Sequence, residues 1–585
     1  MLLKSCFARF GVRFANHRLY ASSVAAIVYR HQSTSSVLSV DEIVEKLARE
    51  NINSPAGSRL STPQLNLNKS IHEIADIFNN VQTSTTPLDA DDLQNSVDAI
   101  QSRMSEINKV DQLIQLLQSL PNGHVKHREI FAPIADQIRN SINSMSSDQT
   151  IAIFSQLRLL FWRDEDLLTA MSEHLIRLRQ ELAPKKLESL GAAMRGLTFS
   201  HPRLVKYMVE QFVKIARDAD DWAFVSFLTG SFSLLKINNP TFWTAVCEWL
   251  NRNLETSTSN INHMRYIVNS CSIVNVPGSL IEKQIKMVVD YMQSNPKVRA
   301  TAPIYLNIAY ALAIFKALPS YEANKILQPE FFREMQDHCH RKFSTSDDSA
   351  NMMILRSAVR ILQIAASYKY DALSNPKLPD NLMNYVKKSK DLPIHSAIQI
   401  LQVAVNHRDD LLKPKTSTEV IDFVNEKKHL MQQMRYGKKQ LVVIEEFRQN
   451  LYLSAPLKTH SMAPDLYIPT GTYLDALLWV CPKRKVILPL KEGPKSQGAE
   501  QVGVIFATKN LLTEIDAGSD SHKGLPLVRP IGDLKMSFRH LQAAGIRPAV
   551  IDYYSYTNIP ENARKIKYIK EAILKPSENL NKDWH

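Results

Sequence analysis

Asp164, Pro202, Pro240 and Pro277 fall 38, 38 and 37 residues apart, each after a stretch of helical apolar spacing. Proline lacks an amide donor and has a fixed φ, so it is tolerated in the first turn of a helix and punctuates the chain before one. Five positions before the four anchors stand Leu159, Leu197, Leu235 and Ser272, and three before them stand Phe161, Phe199, Ile237 and Val274. A further helix ends at Pro319, a step of 42. A pair of antiparallel helices fits this period, and stacked pairs bury their faces only against neighbours, as an α-solenoid does. Ser272 breaks the apolar column, so an irregular helical bundle stands as the alternative. Residues 88–412 are therefore expected to be mainly α, a helical-repeat array, after short helices and a linker over 41–87.

The chain has 585 residues, more than one hydrophobic core serves, and its 44% apolar content suits folded domains. It carries 71 basic and 58 acidic residues, a net charge of +13. That balance favours polyanions as partners: nucleic acid or an anionic membrane surface. The longest apolar run, Ile304 to Phe315, is interrupted by Asn307 and too short to span a bilayer, so no transmembrane segment is expected. Cys6, Cys247, Cys271, Cys339 and Cys481 are scattered without C-x-x-C spacing, which suggests neither a disulfide framework nor a zinc module. His338-Cys339-His340 does not make a metal site either, because adjacent helical residues point in different directions.

Residues 1–40 hold no Asp or Glu, while Lys4, Arg9, Arg13, Arg18 and Arg30 are spaced among Leu2, Leu3, Phe7, Phe10, Val12 and Phe14. An acid-free, arginine-rich amphipathic start is what mitochondrial import requires, and Arg9 and Arg13 interrupt the apolar core that a secretory signal would need. The expected location is the mitochondrion, in the matrix. Without these five charges the chain keeps a net +8.

From residue 441 to 574 the pattern changes. Leu534, Met536, Phe538 and Leu541 form a helical apolar face, Gly545 can end that helix left-handed, Ala549 to Tyr553 reads as a buried strand, and a last helix runs from Glu561 to Leu574. The ordered set Tyr473-Leu474-Asp475-Ala476, Gly532-Asp533-Leu534-Lys535, Arg539-His540-Leu541, Gly545 and Val550-Ile551-Asp552-Tyr553 resembles the RAP domain that closes proteins of the FAST-kinase-domain (FASTK) family. The 37–38 residue period is similar to the helical repeats found upstream of RAP domains. The resemblance implies a small α/β domain over 441–574 with the PD-(D/E)xK nuclease fold, a tail at 575–585, and a role in mitochondrial RNA: transcript stability, processing or mitoribosome assembly. The implied partners are mitochondrial RNA and RNA-processing or mitoribosomal proteins.

In a PD-(D/E)xK nuclease two carboxylates hold a divalent metal and a lysine orients the attacking water. Asp475 matches the first acid. The second strand is either Val486 to Leu490, followed by Lys491, or Val502 to Phe506, followed by Ala507-Thr508-Lys509. Both keep the lysine, and Pro489 and Ala507 stand where the second acid belongs. Glu492, Glu500 and Asp516 are the remaining nearby carboxylates. The expectation is a scaffold that binds and does not cut, with no cofactor; magnesium enters only under the alternative of a metal-dependent RNA endonuclease. A third alternative is a protein-binding helical scaffold.

The expected RNA contacts are the basic segment 413–440, with Lys427, Lys428, Arg435, Lys438 and Lys439, together with Lys535 and Arg539 in the α/β part. Near the repeat anchors, Arg163, His201, Asn238 and Asn275 are candidates for bases or phosphates, or ordinary residues of helix ends. His407-Arg408-Asp409 copies a kinase catalytic loop, but Pro414 stands where the magnesium-binding Asn belongs and Val424 where the Gly of D-F-G belongs, so kinase chemistry is not expected. One prediction follows from the start of the chain. Changing Arg9, Arg13 and Arg18 to Glu leaves a fluorescently tagged full-length protein in the cytosol; retained mitochondrial fluorescence would remove the import reading.

Overall fold

The computed structural model describes residues 62–84, 89–295, 301–326, 440–455, 462–467, 472–515 and 528–575, with isolated positions between 331 and 371. The basic residues Lys427, Lys428, Arg435, Lys438 and Lys439, Asp516 and the whole of residues 1–40 lie outside them. The described chain is mostly helical and closes in a small mixed sheet. It divides into two compact units, residues 1–211 and 212–585. None of its described helices is long and apolar enough to cross a membrane.

The first unit is built from helices α1 (Thr62–Thr83), α2 (Ala90–Met104), α3 (Val110–Ser119), α4 (Arg128–Ser141), α5 (Ser147–Leu159), α6 (Glu165–Leu178), α7 (Pro184–Leu197) and the start of α8 (Pro202–Asp218). Alternate helices pack in rows: α1 on α3, α3 on α5 and α5 on α7, with α2 on α4 and α4 on α6. Side-chain caps start three of these helices. Asp89 accepts from the amide of Asp92 at 2.7 Å to cap α2, Ser146 and Gln149 close a capping box on α5, and Asp164, the first repeat anchor, caps α6 through the amide of Leu167 at 3.0 Å.

The second unit continues with α9 (Trp222–Leu234), the two-residue strand β1 (Ile237–Asn238), α10 (Pro240–Arg252), α11 (Ile261–Ile273), α12 (Glu282–Ser294), α13 (Ala302–Ile314) and α14 (Ser320–Ile326). Here α9 packs on α11 and α11 on α13. Pro240 is the first residue of α10, behind an Asn239 cap that accepts from Phe242 N at 3.0 Å.

A feature of the backbone marks the repeat more sharply than the prolines do. Phe161, Thr198, Lys236, Asn275 and Lys316 are left-handed, with φ between 49° and 61° along with Arg179, and each follows the end of α5, α7, α9, α11 or α13. In four of these turns the next amide reaches back five residues: Trp162 to Leu157 O, Phe199 to Met194 O, Val276 to Cys271 O and Ala317 to Leu312 O. This closure satisfies carbonyls that a helix end otherwise leaves bare. None of the five is glycine, the residue that adopts this conformation at least cost.

The α/β part comprises α15 (Leu441–Ser454), β2 (Met462–Tyr467), β3 (Tyr473–Cys481), β4 (Val486–Leu488), β5 (Glu500–Ala507), β6 (Leu512–Ile515), β7 (Val528–Pro530), α16 (Gly532–Ala543), β8 (Ile546–Asp552), α17 (Tyr553–Thr557) and α18 (Asn562–Leu574). The larger sheet runs β2-β3-β5-β8, with β4 beside β3. β5 and β8 are parallel, which requires a crossover, and α16 supplies it. Every residue of β8 is buried, as expected of a strand covered on both faces. Leu474, Leu477, Ile505, Leu534, Leu541 and Ile546 form one core; against Phe506, Phe447 of α15 stacks at 4.4 Å and Tyr556 meets it edge-on.

Within this unit the α/β part is fastened to the ends of three repeat helices. β1, after α9, pairs in parallel with β6, which pairs with β7. The start of α16 lies on the end of α11, so close that a Cβ on Gly532 would stand 1.9 Å from Ser272 O. Arg539 closes the end of α13: it donates to Ala313 O at 3.1 Å and Ile314 O at 3.3 Å, and grips both oxygens of Asp371 at 2.6 Å. Ser272, the break in the apolar column, thus stands where a neighbouring backbone comes closest. Gly532→Ala is expected to lower stability by about 1–3 kcal/mol, the cost of forcing an atom into a filled contact. Thermal unfolding of the full chain measures it, and an unchanged midpoint would show that the contact is slack.

Candidate nucleic-acid interface

Asp475 lies in β3, and β5 is the strand opposite it, since Ala476 pairs with Val504. β4 meets only the far end of β3, from Trp479 to Cys481. The chain then leaves the sheet: β2 takes over that edge, and Gly493 folds back so tightly on Trp479 that a Cβ would lie 2.0 Å from its ring. Lys491 is exposed outside the ladder. Of the two strands that the sequence left open, the one beside Asp475 is the one ending in Ala507, with Lys509 two residues on.

Asp475 is 2% exposed and accepts a hydrogen bond from Phe506 N at 2.7 Å, in the place of a ladder carbonyl. The sequence had not singled out the carboxylate that faces Ala507: Asp552, its register partner on β8. Asp552 caps α17 by accepting from Ser555 N at 2.8 Å and also accepts from the Tyr568 hydroxyl at 3.1 Å. Burial, and then the charge of Asp552, raise the Tyr568 phenol well above its ordinary range, so this bond keeps its proton on the tyrosine. Asp475 and Asp552 are separated by the width of β5, two strand spacings or about 10 Å. Each of the two carboxylates is taken up by its own hydrogen bonds, Asp475 to Phe506 N and Asp552 to Ser555 N and the Tyr568 hydroxyl. Glu500 is at the other end of β5, paired with Arg547 at 2.6 Å, and Glu492 is exposed beyond β4.

What gathers at the carboxyl ends of β5 and β8 is a cation and two rings. Lys509 is exposed, and its Nζ lies 5.1 Å from the centre of the Tyr553 ring and 5.4 Å from that of Tyr554. The tyrosines stand edge to face at 5.6 Å, each half-buried, and Tyr553 rests on Phe506 at 6.3 Å. The crevice beyond the carboxyl ends of parallel strands is where open α/β sheets hold ligands. Neighbouring Thr508 is buried, and its hydroxyl has no hydrogen-bond partner among the described residues.

The candidates near the repeat anchors are largely engaged. Arg163 pairs with Glu165 at 2.8 Å. His201 lies 3.3 Å from Glu173, which Arg203 also holds; burial lowers its pKa first, Glu173 opposes that, and Arg203 adds to it. Asn238 donates to Val274 O at 3.0 Å, tying one repeat to the end of the next helix. Asn275 is one of the left-handed turn residues, a conformation that asparagine tolerates well. Arg539 is committed to Asp371 and the end of α13 as described above. Lys535, one turn before it on the same helix, is half-buried, and burial followed by the charges of Arg529, Arg539 and Lys316 lowers its pKa. Arg529 and Lys316, exposed near Lys535, were not among the expected contacts.

No protein-family model matches this chain, and no curated protein matches it significantly.

One pH dependence and one pair of substitutions check the geometry. Burial alone would raise Asp371, yet the hydrogen bonds and charges of His540 and Arg539 hold it down to about 2. A depressed carboxylate stabilises the fold above its unfolded pKa near 4 and loses that contribution as pH falls toward 2. Arg539→Gln should flatten the acid limb of stability between those values, and a variant with the wild-type acid limb would contradict the clamp. Asp475→Ala, which leaves a buried amide without an acceptor, should cost about 1–3 kcal/mol, while Asp475→Asn, which keeps an acceptor oxygen, costs less. Equal losses in urea unfolding would mean that the hydrogen bond is not what Asp475 supplies.

Proposed function

We propose that this chain is a mitochondrial RNA-binding protein of the FAST-kinase-domain type. Its helical array and RAP-like α/β domain hold a transcript, and the outcome is transcript stability, processing or mitoribosome assembly. The α/β domain is read as a nuclease-like scaffold turned to binding.

The observation that carries this reading is Lys509 over Tyr553 and Tyr554 at the strand ends. Single-stranded nucleic acid offers bases with π faces on a chain of phosphates, and sites for it combine rings with cations. Both rings here are braced by the core, so little freedom is lost when a base stacks. With Asp475 spent on an amide and Ala507 in the second acid slot, the same place lacks the pair of acids that metal-assisted hydrolysis of a phosphodiester uses. The basic balance of the chain points the same way.

Fluorescence anisotropy with a labelled 20-nucleotide RNA tests this. Binding should be the same with magnesium or with EDTA, and Lys509→Gln with Tyr554→Leu should weaken it about tenfold, the worth of one stacked base. Failure of the wild-type protein to bind RNA at low salt would sink the reading. In the same mixtures the RNA should stay intact; metal-dependent cleavage lost in Asp475→Asn would establish the endonuclease instead.

A further inference from the structure

We propose that Lys316, Arg529 and Lys535 form a second site, for the phosphodiester backbone of single-stranded RNA, where the turn after α13 meets α16 and β7. The proposal rests on the RNA reading above and concerns a different place from the Lys509 platform.

Three elements converge there for reasons unrelated to one another. Lys316 is the left-handed residue of the turn that closes α13. Lys535 stands one helical turn before Arg539, so both lie on the same face of α16, and Arg539 fixes that face against Ala313 O and Ile314 O, the last carbonyls before the same turn. Arg529 belongs to β7, whose register with β6 is set by Thr513 opposite it. β6 in turn pairs with β1 at the end of α9. The fastening of the α/β part to the repeat ends is thus what brings three cations into one neighbourhood.

Among the described residues, two acids nearby are already engaged. Asp371 is held by Arg539 and His540, and Asp533 accepts from Gln363 at 2.6 Å. Asp533 also faces Lys236, the left-handed residue after α9, whose ammonium burial pushes down to about 8 while Asp533 pulls it up and Arg360 pushes it further down. The side chains of Lys316, Arg529 and Lys535 make no hydrogen bond or ion pair among the described residues. Burial, and then the like charges of Arg529, Arg539 and Lys316, act against the charged form of Lys535. Holding cations together without a counter-ion costs free energy in the unliganded protein, and an anion that bridges them returns it. A phosphodiester is favoured over a carboxylate-rich peptide because the same unit carries the tyrosine platform for bases, which an acidic peptide has no use for.

The test uses the full chain with Lys316→Asn, Arg529→Gln and Lys535→Gln combined. Asparagine is chosen because position 316 is left-handed. A comparison variant removes the same charge from the exposed Arg564, Lys567 and Lys570 of α18. Anisotropy of a labelled 20-nucleotide oligouridylate is read from low to moderate KCl. The expected result is a slope of log affinity against log salt that is shallower by about 2 in the first variant, since each phosphate contact on a single strand contributes about 0.7. The comparison variant should keep nearly the wild-type slope. Equal loss in both variants, or none in the first, would overturn the site while leaving RNA binding in place. Stronger competition by an oligoglutamate peptide than by unlabelled RNA would also overturn it, in favour of an acidic protein partner. No binding by wild type would sink both readings, and thermal unfolding of each variant separates loss of the site from loss of the fold.

Discussion

The contact of Gly532 with Ser272 O, backed by the grip of Arg539 on the end of α13, is the constraint on which the second unit turns. A helix start carries bare amides and a partial positive charge, and a helix end the reverse, so setting the start of α16 on the end of α11 is favourable only at short range. Short range demands a residue without a side chain on one partner and a small residue on the other. Once that approach is made, Arg539 can satisfy the last carbonyls of α13, and its guanidinium needs a carboxylate to be tolerated half-buried. Asp371 supplies it.

This arrangement links fold to chemistry. The turns that close α9, α11 and α13 are left-handed, and all three face the α/β part: through β1, Ser272 and Arg539. Polar and charged residues around this junction are therefore divided by tertiary structure into two kinds. Asn238 and Arg539 hold the unit together, whereas Lys535, Lys316 and Arg529 remain charged and unpaired among the described residues. The strand ends of β5 and β8 show a similar division: Asp475 and Asp552 are consumed by local hydrogen bonds, and the exposed chemistry left over is a lysine with two tyrosines.

Much was legible from residue order alone, for a local reason. Helix starts depend on a few neighbouring atoms, so Asp164 and Pro240 announced α6 and α10 directly. The run Ala549 to Tyr553 and the apolar face from Leu534 to Leu541 likewise pointed to β8 and α16, because periodicity of burial is written along the chain, although β8 begins at Ile546 and Tyr553 already opens α17 behind the Asp552 cap. The absence of an acid at position 507 was also plain in the sequence, as was the basic balance of the whole.

Which of two strands lies beside Asp475 was not legible, because Val486 to Leu490 and Val502 to Phe506 are equally good strands by composition. Pairing decided it: β5 lies opposite Asp475, and Gly493 turns the chain away over Trp479. Nor could the sequence join Lys316 to Arg529 and Lys535, which lie more than 200 residues from it along the chain. Their proximity comes from a backbone contact at Gly532 that no spacing rule encodes. Periodicity and capping are properties of a segment and its neighbours, so the sequence by itself determined the elements; the meeting of distant charges is a property of packing, and only the tertiary structure decided it.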